Sequence, residues 1–124
     1  MTATRSLVSI VDDDESVRDS LPDLVRQFGF VAQAFASAEA FLASELVDQT
    51  TCLILDIGMP GMSGPDLQRE LANRRRKIPI VFITGSDDKA VRSRLLADGA
   101  AECLFKPFSE TALLDALNAA LRMR

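Results

Sequence analysis

The residues best able to do chemistry stand where short apolar runs end. Asp12 and Asp13 follow Leu7 to Val11, Asp56 follows Cys52 to Leu55, Thr84 follows Ile80 to Ile83, and Lys106 follows Glu102 to Phe105. Singly, each has an ordinary explanation: Asp12 to Glu15 as a helix-capping cluster, Asp56 as a turn residue, Thr84 as a strand former, Lys106 as a surface amine. Together they describe a site. Three carboxylates brought to one place repel and raise one another's pKa unless a cation sits among them. With oxygen ligands only, Mg²⁺ is the natural cation, because it keeps several waters and leaves a position for a phosphate oxygen. A carboxylate held beside it acts as a nucleophile toward phosphorus and yields an acyl phosphate. Lys106 would neutralise one phosphoryl oxygen and the Thr84 hydroxyl would donate to another.

The chain of 124 residues contains no histidine, which removes imidazole as base, metal ligand and phosphoryl carrier and excludes His-dependent triads and His-zinc sites. Cys52 and Cys103 lie inside apolar runs and read as small buried hydrophobes. A net charge of −4, from 14 basic and 18 acidic residues, argues against nucleic acid as a direct partner of this domain. The longest uncharged stretch, Gln27 to Ala38, is too short to cross a bilayer, and the first residues form no secretion signal, so no membrane contact and a cytoplasmic location are expected. The length and a hydrophobic content of 48% suit one domain over 1–124.

The elements that must position these groups are legible from periodicity. The four runs above and Val31 to Phe35 recur at intervals of roughly 20 to 28 residues, each followed by helical spacing. This is the pattern of (βα)5, an α/β fold with a doubly wound, parallel five-stranded sheet covered on both faces. In such sheets ligands bind at the carboxyl ends of the strands, where the candidate residues fall. The first helix carries Val17, Leu21, Leu24, Val25 and Phe28 on one stripe and stops at Gly29, with a bend expected at Pro22. The third opens on Pro65 and Asp66 and closes on Arg74 to Lys77, a basic run read as a solvated helix end. The last starts at Ser109 and is expected to turn Leu113, Leu114, Leu117 and Leu121 inward.

The acidic pair, the D-x-x-M-P-x-M-x-G run from Asp56 to Gly64, Thr84-Gly85, and Gly99-Ala100 leading to Lys106-Pro107-Phe108 occur in order. In these features the chain resembles the receiver domain of two-component response regulators, close in pattern to those of nitrogen-fixation and nitrate-responsive transcription factors. The resemblance implies a flavodoxin-like strand order 2-1-3-4-5. It implies that Asp56 accepts a phosphoryl group, that Asp13, Asp56 and the Gly58 carbonyl hold Mg²⁺ with Asp12 acting through water, and that Thr84 and Lys106 bind the phosphoryl oxygens. It implies a cis bond before Pro107 and a sensor histidine kinase or phosphotransfer protein as donor. It also implies an output face of helix 4, strand 5 and helix 5 that serves partner binding or homodimerisation, in either a stand-alone receiver or, as the resemblance favours, a transcription factor whose effector domain is absent from this chain. One residue departs from the pattern: Cys103 stands where such domains carry Tyr or Phe, leaving Phe105, on the same strand face, as a substitute. A receiver-like module acting without phosphorylation is the alternative. An aspartate phosphatase would need a second acid where Gly58 stands, and an FMN binder would need an aromatic platform that a chain without Trp or Tyr lacks.

Overall fold

Continuous burial along the central apolar runs explains the architecture of the computed structural model, which describes residues 6–85 and 88–123. In β3 (Thr50–Asp56), Cys52 and Ile54 point to one side of the sheet while Leu53 and Leu55 point to the other, and all four are fully buried. A strand apolar on both faces needs cover on both. The elements in chain order are β1 (Leu7–Val11), α1 (Glu15–Gln27), β2 (Val31–Phe35), α2 (Ala38–Leu42), a 3₁₀ turn (Glu45–Gln49), β3, α3 (Gly64–Asn73), β4 (Ile80–Thr84), α4 (Lys89–Ala97), β5 (Glu102–Phe105) and α5 (Glu110–Arg122). The strands form one parallel sheet in the order 2-1-3-4-5, as expected. One core packs Leu21 and Val25 of α1 and Leu113 and Leu117 of α5 on Val8, Ile10, Ile54 and Ile83. The other packs Phe41 of α2, Leu67 and Leu71 of α3 and Leu95 of α4 on Leu53, Leu55 and Phe82.

Local signals account for the helix ends. Asp14 caps α1, and Gly29 leaves it at φ +98°, a left-handed value that favours glycine. The helix runs through Pro22 without a break, although proline donates no hydrogen bond there. Ser63 and Asp66 form a reciprocal capping box at the start of α3. Two expectations need correction. The inner face of α5 consists of Leu113, Ala116, Leu117 and Ala120, with partly buried Leu121 packed against the same core as expected, while Leu114 is only partly buried. Close packing of the helix on the sheet favours small side chains at the contact, which a count of leucines misses. The third and fourth strands also extend past their apolar runs, to Thr50 and Asp56 and to Thr84, because ladder pairing continues beyond the last apolar side chain.

Candidate functional site

Strand order reverses at β1, which pairs with both β2 and β3, so the loops leaving β1 and β3 diverge to opposite sides of the sheet and open a crevice between them. Asp12 and Asp13 leave β1 into it, and Asp56 ends β3. Carboxylate oxygens of Asp12, Asp13 and Asp56 lie within 4.8 Å of one another. Asp12 is fully buried. Its Oδ1 accepts from the Asp14 N–H at 2.8 Å, and its backbone carbonyl accepts from Arg18 Nη1 at 3.0 Å. Its Oδ2 has no hydrogen-bond partner. Lys106 Nζ stands 3.5 Å from that oxygen, close enough for charge attraction but not for a hydrogen bond. A buried carboxylate oxygen left in this state, on a residue clustered with two more carboxylates, fits a hard divalent cation.

Asp56 registers the cost of this crowding. Burial, then the Asp12 carboxylate, push its pKa from 3.8 up to about 6; Lys106 opposes the rise, Asp13 adds to it, and the Gly58 N–H, donating to the carboxylate, opposes it. The group is half-buried, so it is both polarised and reachable. The loop after it is anchored at its far end, where the Gly64 N–H donates to the Ile57 carbonyl at 3.0 Å. A Cβ on Gly64 would stand 2.4 Å from the Asp56 carbonyl oxygen and 3.1 Å from the Phe82 ring. That requirement lay hidden in the sequence, where the glycine reads only as turn-forming. Gly85 faces open space beside the site.

Thr84 ends β4 opposite Phe105, and its carbonyl accepts from the Lys106 N–H at 2.8 Å, which ties the two candidate phosphoryl-binding residues into one backbone ladder. The Lys106-Pro107 bond is cis, as the resemblance implied. Behind Thr84 lies a cavity of about 230 Å³ between α4 and β5, lined by Ile57, Val91, Arg92, Cys103 and Phe105. Cys103 and Phe105 therefore do share a face. Across this cavity Arg92 of α4 pairs with Glu102 of β5 at 2.7 Å. Burial raises the Cys103 pKa and pushes that of Cys52 up to about 12, so both thiols are inert at neutral pH. Arg18 is the residue at this site that sequence reasoning did not single out; its position one helical turn into α1 is a signal only once the loop path is known.

An open parallel sheet with three clustered carboxylates and a lysine at its switch point defines a small α/β module whose acidic cluster is consistent with a divalent cation. The chain belongs to the response regulator receiver domain family, whose model matches residues 8–118. It is 46% identical over 118 residues to Nodulation protein W of Bradyrhizobium diazoefficiens, covering 95% of this chain and 52% of that protein. It is 41% identical to Response regulator protein TodT of Pseudomonas putida, covering 99% and 54%. Among solved structures, FixJ-N superposes with a TM-score of 0.87 at 35% identity, covering 98% of each chain. The chain spans about half the length of the curated relatives it matches. It is a receiver domain of two-component signalling, with relatives among transcriptional regulators. No helix among the described residues is long and apolar enough to cross a membrane.

Proposed function

We propose that this domain is a phosphorylation-driven switch in which Asp56 accepts a phosphoryl group from a sensor histidine kinase or phosphotransfer protein. The observation carrying this reading is the cluster of Asp12, Asp13 and Asp56, in which buried Asp12 keeps an Oδ2 that accepts no hydrogen bond. Asp13, Asp56 and the Gly58 carbonyl would hold Mg²⁺, with Asp12 acting through water. Bound there, the ion would offset the carboxylate charge and polarise the phosphoryl oxygens. An Asp56 carboxylate oxygen attacks phosphorus as the bond from phosphorus to the donor's ring nitrogen breaks; the donor imidazole, protonated at its other nitrogen, leaves neutral, and Asp56 carries an acyl phosphate. Lys106 and the Thr84 hydroxyl bind the transferred oxygens, and water later hydrolyses the acyl phosphate. The domain changes only its own phosphorylation state. A groove of about 450 Å³ between α1 and the start of α5 opens beside Lys106, with Leu21, Leu24, Pro107 and Phe108 in its walls, and supports docking of the donor there.

Output passes through α4, β5 and α5, which would bind a partner or a second copy and control transcription through an effector domain beyond residues 1–124, in the cytoplasm. The support is loose packing: Leu95 is the one buried residue of α4, and a cavity behind Thr84 lies between that helix and β5. Pulling Thr84 toward a phosphoryl group changes that cavity, and Phe105 is the aromatic group placed to follow. The same cavity, with Cys103 where an aromatic ring is usual, favours the second reading, a receiver that binds partners without phosphorylation. Intact mass after incubation with acetyl phosphate decides between them. A gain of one phosphoryl group that needs both Asp56 and Mg²⁺ supports the switch; no gain in a folded, Mg²⁺-binding protein supports the alternative.

A further inference from the structure

The basic run at the end of α3 is solvated, as expected, with Arg74 to Lys77 all exposed, and it also borders a groove. Arg74 pairs with Glu70 at 2.7 Å and Arg76 with Asp48 at 2.7 Å, while no ion pair involves Arg75 or Lys77 among the described residues. Arg75 takes φ +58°, the one positive φ outside glycine among the described residues. The Arg75 N–H donates to the Ala72 carbonyl at 3.0 Å and the Arg76 N–H to the Leu71 carbonyl at 2.8 Å, the helix-ending turn in which glycine is the unstrained choice. An arginine is therefore held in a costly conformation at this turn. It borders a groove of about 460 Å³ whose walls include Leu71, Ile78 and Ile80, with Lys77 beside it and Asp98 as its one acidic residue.

We propose that this groove is a docking site for an acidic, amphipathic segment of a partner protein. The segment's carboxylates would meet Arg75 and Lys77, and its apolar side chains would cover Leu71, Ile78 and Ile80. Charge complementarity selects the occupant: two cations without ion-pair partners sit on the rim of an apolar concavity in a chain of net charge −4. Nucleic acid would satisfy the cations but leave the apolar wall exposed, and no aromatic side chain lines the groove for bases to stack on. The groove lies where β4 begins, at the opposite edge of the sheet from Asp56, so its occupant would bind without blocking phosphoryl transfer.

A display library of random peptides, panned on the wild-type chain and depleted on an Arg75→Gly, Lys77→Ala double variant, tests this. The expected result is enrichment of peptides that combine carboxylates with apolar residues. Their affinity should fall about tenfold or more with Arg75→Gly alone, as loss of a charge-assisted contact predicts. Arg75→Gly relieves the left-handed turn, so it should melt no lower than wild type, which separates lost binding from lost folding. Amide shifts on titration should centre on Leu71, Ile78, Ile80 and Gly99. No enrichment, enrichment of basic or uncharged peptides, binding indifferent to Arg75→Gly, or labelled duplex DNA bound more tightly than the peptides would each overturn the proposal.

Discussion

Replacing Asp56 by Asn should stabilise the metal-free protein at neutral pH, because Asn reproduces the shape of the protonated acid without its charge. Raising this carboxyl from 3.8 to about 6 corresponds to about 3 kcal/mol of differential interaction. The group is half-buried and solvent screens it, so about 1.5 kcal/mol is the working figure. Between those two pKa values the folded chain keeps a proton that the unfolded chain has released. Stability from this group is thus fully present below 3.8 and is lost as pH rises through about 6. Asp56→Asn has no such slope, so its advantage should grow across that window and stay constant above it. Urea denaturation in EDTA at about pH 7.5 should show a midpoint roughly 1 M higher for the variant, taking a slope of about 1.5 kcal/mol per M. Saturating Mg²⁺ should narrow or reverse the order, since the wild type offers the fuller ligand set and gains more by mass action. A variant no more stable than wild type in EDTA, or an equal advantage at about pH 3.5, would refute the argument that carboxylate crowding at this site opposes folding.

Three further perturbations follow from the same geometry. Gly64→Ala forces a Cβ against the Asp56 carbonyl oxygen and the Phe82 ring and should cost about 2 to 4 kcal/mol in chemical denaturation, whereas Gly58→Ala, facing open space, should cost under about 1. Lys106→Met removes the cation 3.5 Å from buried Asp12 and should lower metal-free stability by about 2 kcal/mol, a loss that Mg²⁺ titration should restore; an unchanged melting curve would show that the pair contributes nothing. Cys103→Phe should fold within about 1.5 kcal/mol of wild type, because the 230 Å³ cavity beside the thiol has room for the ring. A loss above roughly 3 kcal/mol would mean that the cavity does not admit it.

The bounds of β1, β2 and β5 match the short apolar runs read from the sequence, and those of β1 and β5 are marked by the charged residues Asp12 and Lys106 that follow them. The candidate site residues are legible as candidates for the same reason, because carboxylates, a hydroxyl and an amine stand where apolar runs end. These are local properties: burial pattern, turn chemistry and charge are written within a few residues of where they act. Tertiary structure alone decided how near the groups come. That Asp12, Asp13 and Asp56 meet within 4.8 Å, and that Asp12 Oδ2 is buried without a hydrogen bond, depends on the register of β1 against β3, which joins positions more than 40 residues apart. The rotation of α5 that turns Ala116 and Ala120 inward is set by helix-on-sheet packing rather than by the count of leucines. The cavity beside Cys103 and the groove beside Arg75 are likewise spaces between elements, and no single segment of sequence contains the information for a space.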